Sequence, residues 1–245
     1  MAEFVVHVGA KSAQGVRPRN EDRFVADPRR PVFLVADGMG GQDCGDRASG
    51  IAADLIPRAV EAHLAAREDP SQAVQQALDE ANQAIISAGQ NQAFTRRMGT
   101  TAVVAVRQAD QVYVAGLGDS RAYLVRGNRV EQLTVDHTVA DALERNGTLT
   151  RDQARSSPWR NVLYKFLGCA EMSGGAEVRP FTPEAGDRLV LASDGMTNHV
   201  TEQDLREGAV RFSSPQEWAE HLVQTALERG SRDNVTCVIV AFDRE

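Results

Sequence analysis

Two segments of the chain repeat one pattern: an apolar run that closes on Asp-Gly-Met. They are Val32-Phe33-Leu34-Val35-Ala36-Asp37-Gly38-Met39 and Leu189-Val190-Leu191-Ala192-Ser193-Asp194-Gly195-Met196. Each run reads as a buried strand. Asp-Gly is a strong signal for a tight hairpin turn, yet helix-like sequence begins a few residues later in both segments, and no partner strand follows directly. A carboxylate at the point where a buried strand emerges is costly unless something positive meets it. The fold therefore has to bring a cation or a basic side chain to Asp37 and Asp194.

Other acids sit at similar edges. Glu21 and Asp22 precede a strand that begins at Arg23, Asp119 follows a strand that ends near Ala115, and Asp233 precedes a strand that begins at Val235. Alone, each reads as a cap or turn residue. Gathered at one end of a sheet they would repel one another without cations, and oxygen ligands select Mg²⁺, Mn²⁺ or Ca²⁺. Zinc and disulfide chemistry are disfavoured: Cys44, Cys169 and Cys237 are far apart, and the five histidines form no H-E-x-x-H. Arg17 stands just upstream of Glu21 and Asp22, where a guanidinium fork can grip phosphate oxygens. Acidic residues outnumber basic ones, 34 to 27, for a net charge of -7, which argues against nucleic acid as a partner. Gly9-Ala10-Lys11-Ser12 lacks the glycines of a P-loop, and Gly38-Met39-Gly40-Gly41 does not fit the Rossmann fingerprint.

With 245 residues and no repeat or linker, residues 1–245 are expected to form a single domain. Strands are expected at 4–8, 23–26, 32–36, 100–106, 112–115, 122–125, 188–192 and 235–242. Helical spacing covers 46–66, where Pro57 is expected to kink or split the helix. A second helix is capped by Asp69 with Pro70 at its first position, and a third by Ser214 with Pro215. Hairpin connections at 108–111 and 126–129 favour antiparallel sheets and an α+β architecture. Residues 136–175 read as an irregular surface excursion of the kind that gates a site. No signal-like stretch or run of roughly 18 to 20 apolar residues is present, so a cytoplasmic, membrane-free protein is expected.

In chain order the sequence carries Arg17-Pro18-Arg19-Asn20-Glu21-Asp22, Val35-Ala36-Asp37-Gly38-Met39-Gly40-Gly41, Gly99-Thr100-Thr101, Gly118-Asp119-Ser120-Arg121-Ala122-Tyr123, Ala192-Ser193-Asp194-Gly195 and Gly230-Ser231-Arg232-Asp233-Asn234-Val235-Thr236. With these six segments in order over nearly the whole chain, it resembles the metal-dependent protein phosphatases, the type 2C Ser/Thr phosphatases, in their compact bacterial form. The resemblance implies a β-sandwich of two antiparallel sheets flanked by helix pairs, a four-layer αββα arrangement, with two Mn²⁺ or Mg²⁺ ions at one end. Asp37 would bridge both ions, Gly38 would offer its carbonyl, Glu21 or Asp22 would contribute near one ion, and Asp194 and Asp233 would ligate the other. Arg17 would hold the phosphate, Asp119 matches the position of a weaker third metal, and Asn234 would support Asp233 from behind.

The implied reaction is hydrolysis of phosphoserine and phosphothreonine in phosphoproteins by in-line attack of a metal-bridging hydroxide, with Arg17, Asp37 and Asp194 central to it. Implied partners are phosphoprotein substrates, a Ser/Thr kinase whose work the enzyme reverses, and forkhead-associated proteins; a monomer is expected. Two departures from the family pattern stand out. Met39 replaces a His common in eukaryotic relatives, leaving a metal-bound water, His137 or His199 as the proton donor. Asn198 replaces an Asp that commonly follows the second Asp-Gly, which weakens the case for the third metal. Residues 136–168 correspond to the family's variable flap, whose Arg145, Arg155 and Arg160 are candidates to meet an acidic or phosphorylated substrate.

Overall fold

A computed structural model describes residues 4–40, 44–90, 98–170 and 175–244. The first third holds β1 (Phe4–Ala13), β2 (Asp22–Val25), β3 (Val32–Met39), α1 (Cys44–Ala65) and α2 (Pro70–Gln90). There follow β4 (Gly99–Thr100), β5 (Ala102–Gln108), β6 (Gln111–Leu117), β7 (Arg121–Arg126) and β8 (Arg129–Gln132). Two short helices, α3 (Val139–Arg145) and α4 (Arg151–Ser156), lie in the polar excursion. The chain closes with β9 (Val178–Phe181), β10 (Asp187–Ala192), α5 (Asp194–Thr197), α6 (Glu202–Arg211), α7 (Pro215–Glu228) and β11 (Val235–Arg244).

The strands make two antiparallel sheets, ordered β1-β11-β10-β7-β8 and β2-β3-β5-β6-β9, with β4 paired to β3. Period-two alternation sorts each central strand between two cores. Phe33, Val35, Val103, Leu189, Leu191 and Val238 fill the space between the sheets. Val32, Leu34, Val104 and Val106 point the other way, onto Ala52, Ile56 and Leu78 of α1 and α2. On the far side, Val190, Ala192 and Ile239 pack against Trp218, Leu222 and Ala226 of α7. The result is the expected αββα layering.

Helix starts follow their caps. Asp69 Oδ1 accepts from the N–H groups of Ser71 and Gln72, and Ser214 Oγ accepts from Glu217 N–H. Pro57 does not split α1, which runs unbroken with Pro57 buried inside it. Its missing N–H costs about 3 kcal/mol in an isolated helix, and the stripe Ala48, Ala52, Ile56 and Val60, each fully buried on the sheet, outweighs that. The edge strands β8 and β9 show no sequence signal, because short, largely polar segments carry little periodicity, whereas the helix-like sequence expected a few residues after the second Asp-Gly corresponds to α6.

Phe33 is 1% exposed at the centre of the inter-sheet core. Phe33→Ala is expected to lower stability by about 3–5 kcal/mol, read as a shift in the urea unfolding midpoint; an unchanged midpoint contradicts this account of the sandwich.

Candidate active site

The strands do more than end near one another. Asp22 and Asp37 are direct cross-strand partners in the β2–β3 ladder, a placement that opposes like charges. The Asp-Gly of the first repeat lies within β3, which continues through Met39 by pairing with β4, so the sequence reading ended this strand three residues early. The Asp-Gly of the second repeat opens α5 directly after β10. Both segments deliver their carboxylates to the same end of the sandwich.

There a cleft of about 780 Å³ is lined by Glu21, Asp37, Asp119, Asp194 and Asp233, with Arg17 and Gly38 on its wall. Asp22 lies beneath the lining, 2% exposed, and reaches across the sandwich: its Oδ2 accepts from Ser193 Oγ at 2.9 Å and Thr236 Oγ1 at 2.6 Å. Asp37 is held through its backbone. Its N–H donates to Thr101 Oγ1 at 2.9 Å, and its carbonyl accepts from Thr101 N–H and Thr100 Oγ1, both at 2.9 Å. Asn234 fixes the loop that carries Arg17: its Oδ1 accepts from Glu21 N–H at 2.8 Å and its Nδ2 donates to the carbonyls of Gln14 and Arg19. Its own N–H donates to Asp233 Oδ1 at 2.9 Å.

Glycine is required where elements nearly touch. A Cβ on Gly38 would stand 2.1 Å from the Gly45 carbonyl oxygen, and one on Gly195 would stand 2.0 Å from that of Asn234. These contacts press β3 onto α1 and α5 onto β11, which brings the acids together.

Arg17 donates to Asp233 Oδ2 at 2.6 Å while 56% of its side chain stays exposed, so the guanidinium keeps donors free for a ligand. Asn198 Nδ2 donates to Asp194 Oδ2 at 3.3 Å, orienting that carboxylate. His137 accepts the Gly118 N–H on its Nδ1 at 3.3 Å, and burial, helped by Lys165 and Arg145, pushes its pKa down to about 4. It is a neutral imidazole that does not line the cleft. His199 faces a neighbouring groove, with Nδ1 3.2 Å from the Gly195 carbonyl oxygen. Gly41 and residues 171–174 of the excursion lie outside the described residues.

Sequence reasoning assigned no role to Thr101, Ser193 or Thr236. All three stand in the six family-like segments, yet a hydroxyl inside or beside a strand carries no signal until its partner in space is known.

Electrostatics makes the cluster expensive by itself. Burial, then Asp22 and Asp194, pushes Asp37 well above the carboxylate range, and burial followed by Asp233 raises Asp194. Burial raises Asp119 to about 7 and Asp22 to about 6. Asp22 Oδ1 and Asp194 Oδ1 are buried without any hydrogen-bond partner. Among the described residues, no three His, Cys, Asp or Glu side chains form a ready-made cage. The fit to cations therefore rests on the two orphaned oxygens and on a donor set made only of hard oxygens, which suits Mg²⁺ or Mn²⁺. No helix among the described residues is long and apolar enough to cross a membrane.

The fold is a two-sheet sandwich whose strand ends gather carboxylates beside an exposed arginine. The protein phosphatase 2C pattern matches residues 6–146 and 176–235. A serine/threonine phosphatase, stp, of Listeria monocytogenes serotype 4b (strain F2365) is 33% identical over 97% of this chain and 96% of its own length. The Mycobacterium tuberculosis phosphatase PstP superposes with a TM-score of 0.83 at 29% identity, covering 98% of this chain and 100% of its own. A PstP catalytic domain in complex with two manganese ions superposes with a TM-score of 0.82 at 29% identity, over 98% of this chain and 100% of that one. The chain belongs to the protein phosphatase 2C family and is a serine/threonine phosphatase of that metal-dependent type.

Raised carboxyls predict a pH signature in chelator. The folded chain keeps protons on Asp22 and Asp119 that the unfolded chain, with Asp near 3.9, has already lost. Stability therefore falls as pH rises through the window from about 4 to 7. The melting temperature in chelator is expected to drop between about pH 5 and pH 8, and Mn²⁺ is expected to raise it more at the higher pH. A metal-free melting temperature that climbs over this range contradicts the assignment.

Proposed function

We propose that the chain acts as one catalytic domain that hydrolyses phosphoserine and phosphothreonine in proteins by direct attack of water on phosphorus, with residues 136–175 as a flap beside the site. The observation that carries this reading is the meeting of Arg17 in one cleft with Asp37 of β3, Asp194 of α5, and Glu21, Asp119 and Asp233 from the turns just before β2, β7 and β11. Asp37, Asp194, Asp233, the Gly38 carbonyl and Glu21 or Asp22 would hold two Mn²⁺ or Mg²⁺ ions, and Asp119 a weaker third. When bound, the ions acidify water towards neutral pH and neutralise charge on phosphate oxygens.

The chain's own groups do the rest. The free donors of Arg17 orient the phosphoryl group and stabilise charge on its equatorial oxygens. Asn234 keeps the Arg17 loop against β11, and Thr100 and Thr101 fix the backbone of Asp37. No Ser, Cys or His lines the cleft among the described residues, and Thr101 Oγ1 is already committed to Asp37 N–H and Ser120, which supports a route without a phosphoenzyme. Met39 lines the cleft and has no proton to give. With His137 neutral and His199 outside the cleft, the leaving alkoxide takes its proton from solvent in the site.

Phosphate release from a phosphothreonine peptide tests the reading. Wild type is expected to require Mn²⁺ or Mg²⁺, Asp194→Ala to lose at least about a hundredfold in kcat, and Met39→Ala to keep most of its turnover. Metal-independent release, or full activity of Asp194→Ala, refutes the two-ion site; a loss of several hundredfold on Met39→Ala refutes a passive Met39.

In the cell the enzyme is proposed to oppose a bacterial Ser/Thr kinase, with forkhead-associated proteins among its substrates. Deleting it is expected to raise protein phosphothreonine levels; unchanged levels count against that role.

A further inference from the structure

Beside the acidic cleft runs a second groove of about 1560 Å³, which shares Arg17, Asn161, Asp194 and Asp233 with it. One wall is the excursion carrying α3 and α4; the other is the turn from α5 into α6. A phosphorylated side chain held at Arg17 would leave its flanking chain at this junction, with the groove as its open path.

The charges along the groove are unequally committed. Arg121 is tied to Asp136 by three hydrogen bonds of 2.6 to 2.9 Å, and Asp141 faces Arg145 at 3.4 Å. Arg151, Arg155, Arg160 and Arg232 line the same groove, are exposed, and have no carboxylate partner among the described residues. The lining carboxylates outside the acidic cleft that lack a basic partner are Glu144 and Glu202. On a chain of net charge -7, an anionic peptide is repelled at long range, and uncommitted guanidinium groups mark where it can approach. Arg151 and Arg155 sit one helical turn apart on α4, an i,i+4 pair on one face. Arg160 adjoins Asn161, which lines both cavities.

Resting on the phosphatase reading above, we propose that this groove carries the substrate chain on one side of the phosphorylated residue, and that Arg151 and Arg155 select substrates bearing a further anionic side chain there. A carboxylate and a second phosphoryl group offer the same oxygen chemistry to a guanidinium, and the phosphoryl group can also take both forks bidentately. These arginines are specificity-determining residues; they do not touch the reacting phosphorus.

The test uses the full chain with Mn²⁺ and three sets of phosphothreonine peptides: neutral flanks, Glu in the flank, and a non-hydrolysable phosphonate in the flank. The anion is placed before the phosphothreonine in one version and after it in another. For wild type, KM is expected to be about fivefold lower for one anionic version than for the neutral peptide, the scale of two exposed ion pairs. That preference should shrink at high salt. Arg151→Ser/Arg155→Ser is expected to erase the preference while kcat, the neutral peptide and p-nitrophenyl phosphate stay unchanged. Arg151→Lys/Arg155→Lys is expected to retain it for Glu, and an unaltered melting temperature shows that both variants fold.

Equal KM across all wild-type peptides overturns the proposal, as does a Ser variant that loses activity equally on every substrate. Binding of the same peptides made with phosphonothreonine, read by fluorescence anisotropy, separates the two claims. Preferential binding of the anionic versions without phosphate release would refute the phosphatase reading and support the groove. Indiscriminate binding with normal release would refute the groove alone.

Discussion

Asp22 and Asp37 face each other across two neighbouring strands, with Asp194 and Asp233 arriving from the other sheet. Four carboxylates sharing a partly buried space repel one another, and much of the surrounding structure acts to hold them. Hydroxyls from Ser193 and Thr236 restrain Asp22, Thr100 and Thr101 restrain the backbone of Asp37, and Asn198 restrains Asp194. None of these neutral groups cancels charge, so the burden falls on Arg17 and on bound cations. The requirement for metal is thus a property of the fold's electrostatics as well as of the reaction.

The sandwich makes such a cluster possible because its two sheets are rigid and fully packed. Fully buried Val and Leu side chains on both faces of β3, β5, β10 and β11 fix the strand ends relative to one another. Close approaches at Gly38 and Gly195 then remove the last freedom at the rim. A site on flexible loops would relax away from the repulsion; a site anchored in two cores cannot, and its charge is available to cations.

Specificity and chemistry occupy different parts of the chain. The acids come from strands, or from residues next to them, in the sandwich, whereas the uncommitted arginines come mainly from the polar excursion with its short helices. Asn82 of α2 ties the far end of that excursion down, accepting from Gly168 N–H at 2.6 Å and donating to the Cys169 carbonyl at 3.3 Å. The excursion is therefore fastened to the helical layer, and the backbone of its Leu167 pairs with Thr100 beside Asp37.

The sequence by itself determined the buried strands, the capped starts of α2 and α7, and the acids at strand ends, because alternation, caps and Asp-Gly punctuation are local. It could not decide that Asp22 and Asp37 would be cross-strand partners, that Asp22 would bond to Ser193 and Thr236 of the other sheet, or that Arg17 would lie 2.6 Å from Asp233. Those contacts join residues separated by 15 to 216 positions, and their existence depends on strand register and sheet order, which no local pattern encodes. The continuity of α1 through Pro57 was decided in the same way. A local rule predicted a kink or a split, and burial against the sheet, visible only in three dimensions, kept the helix continuous.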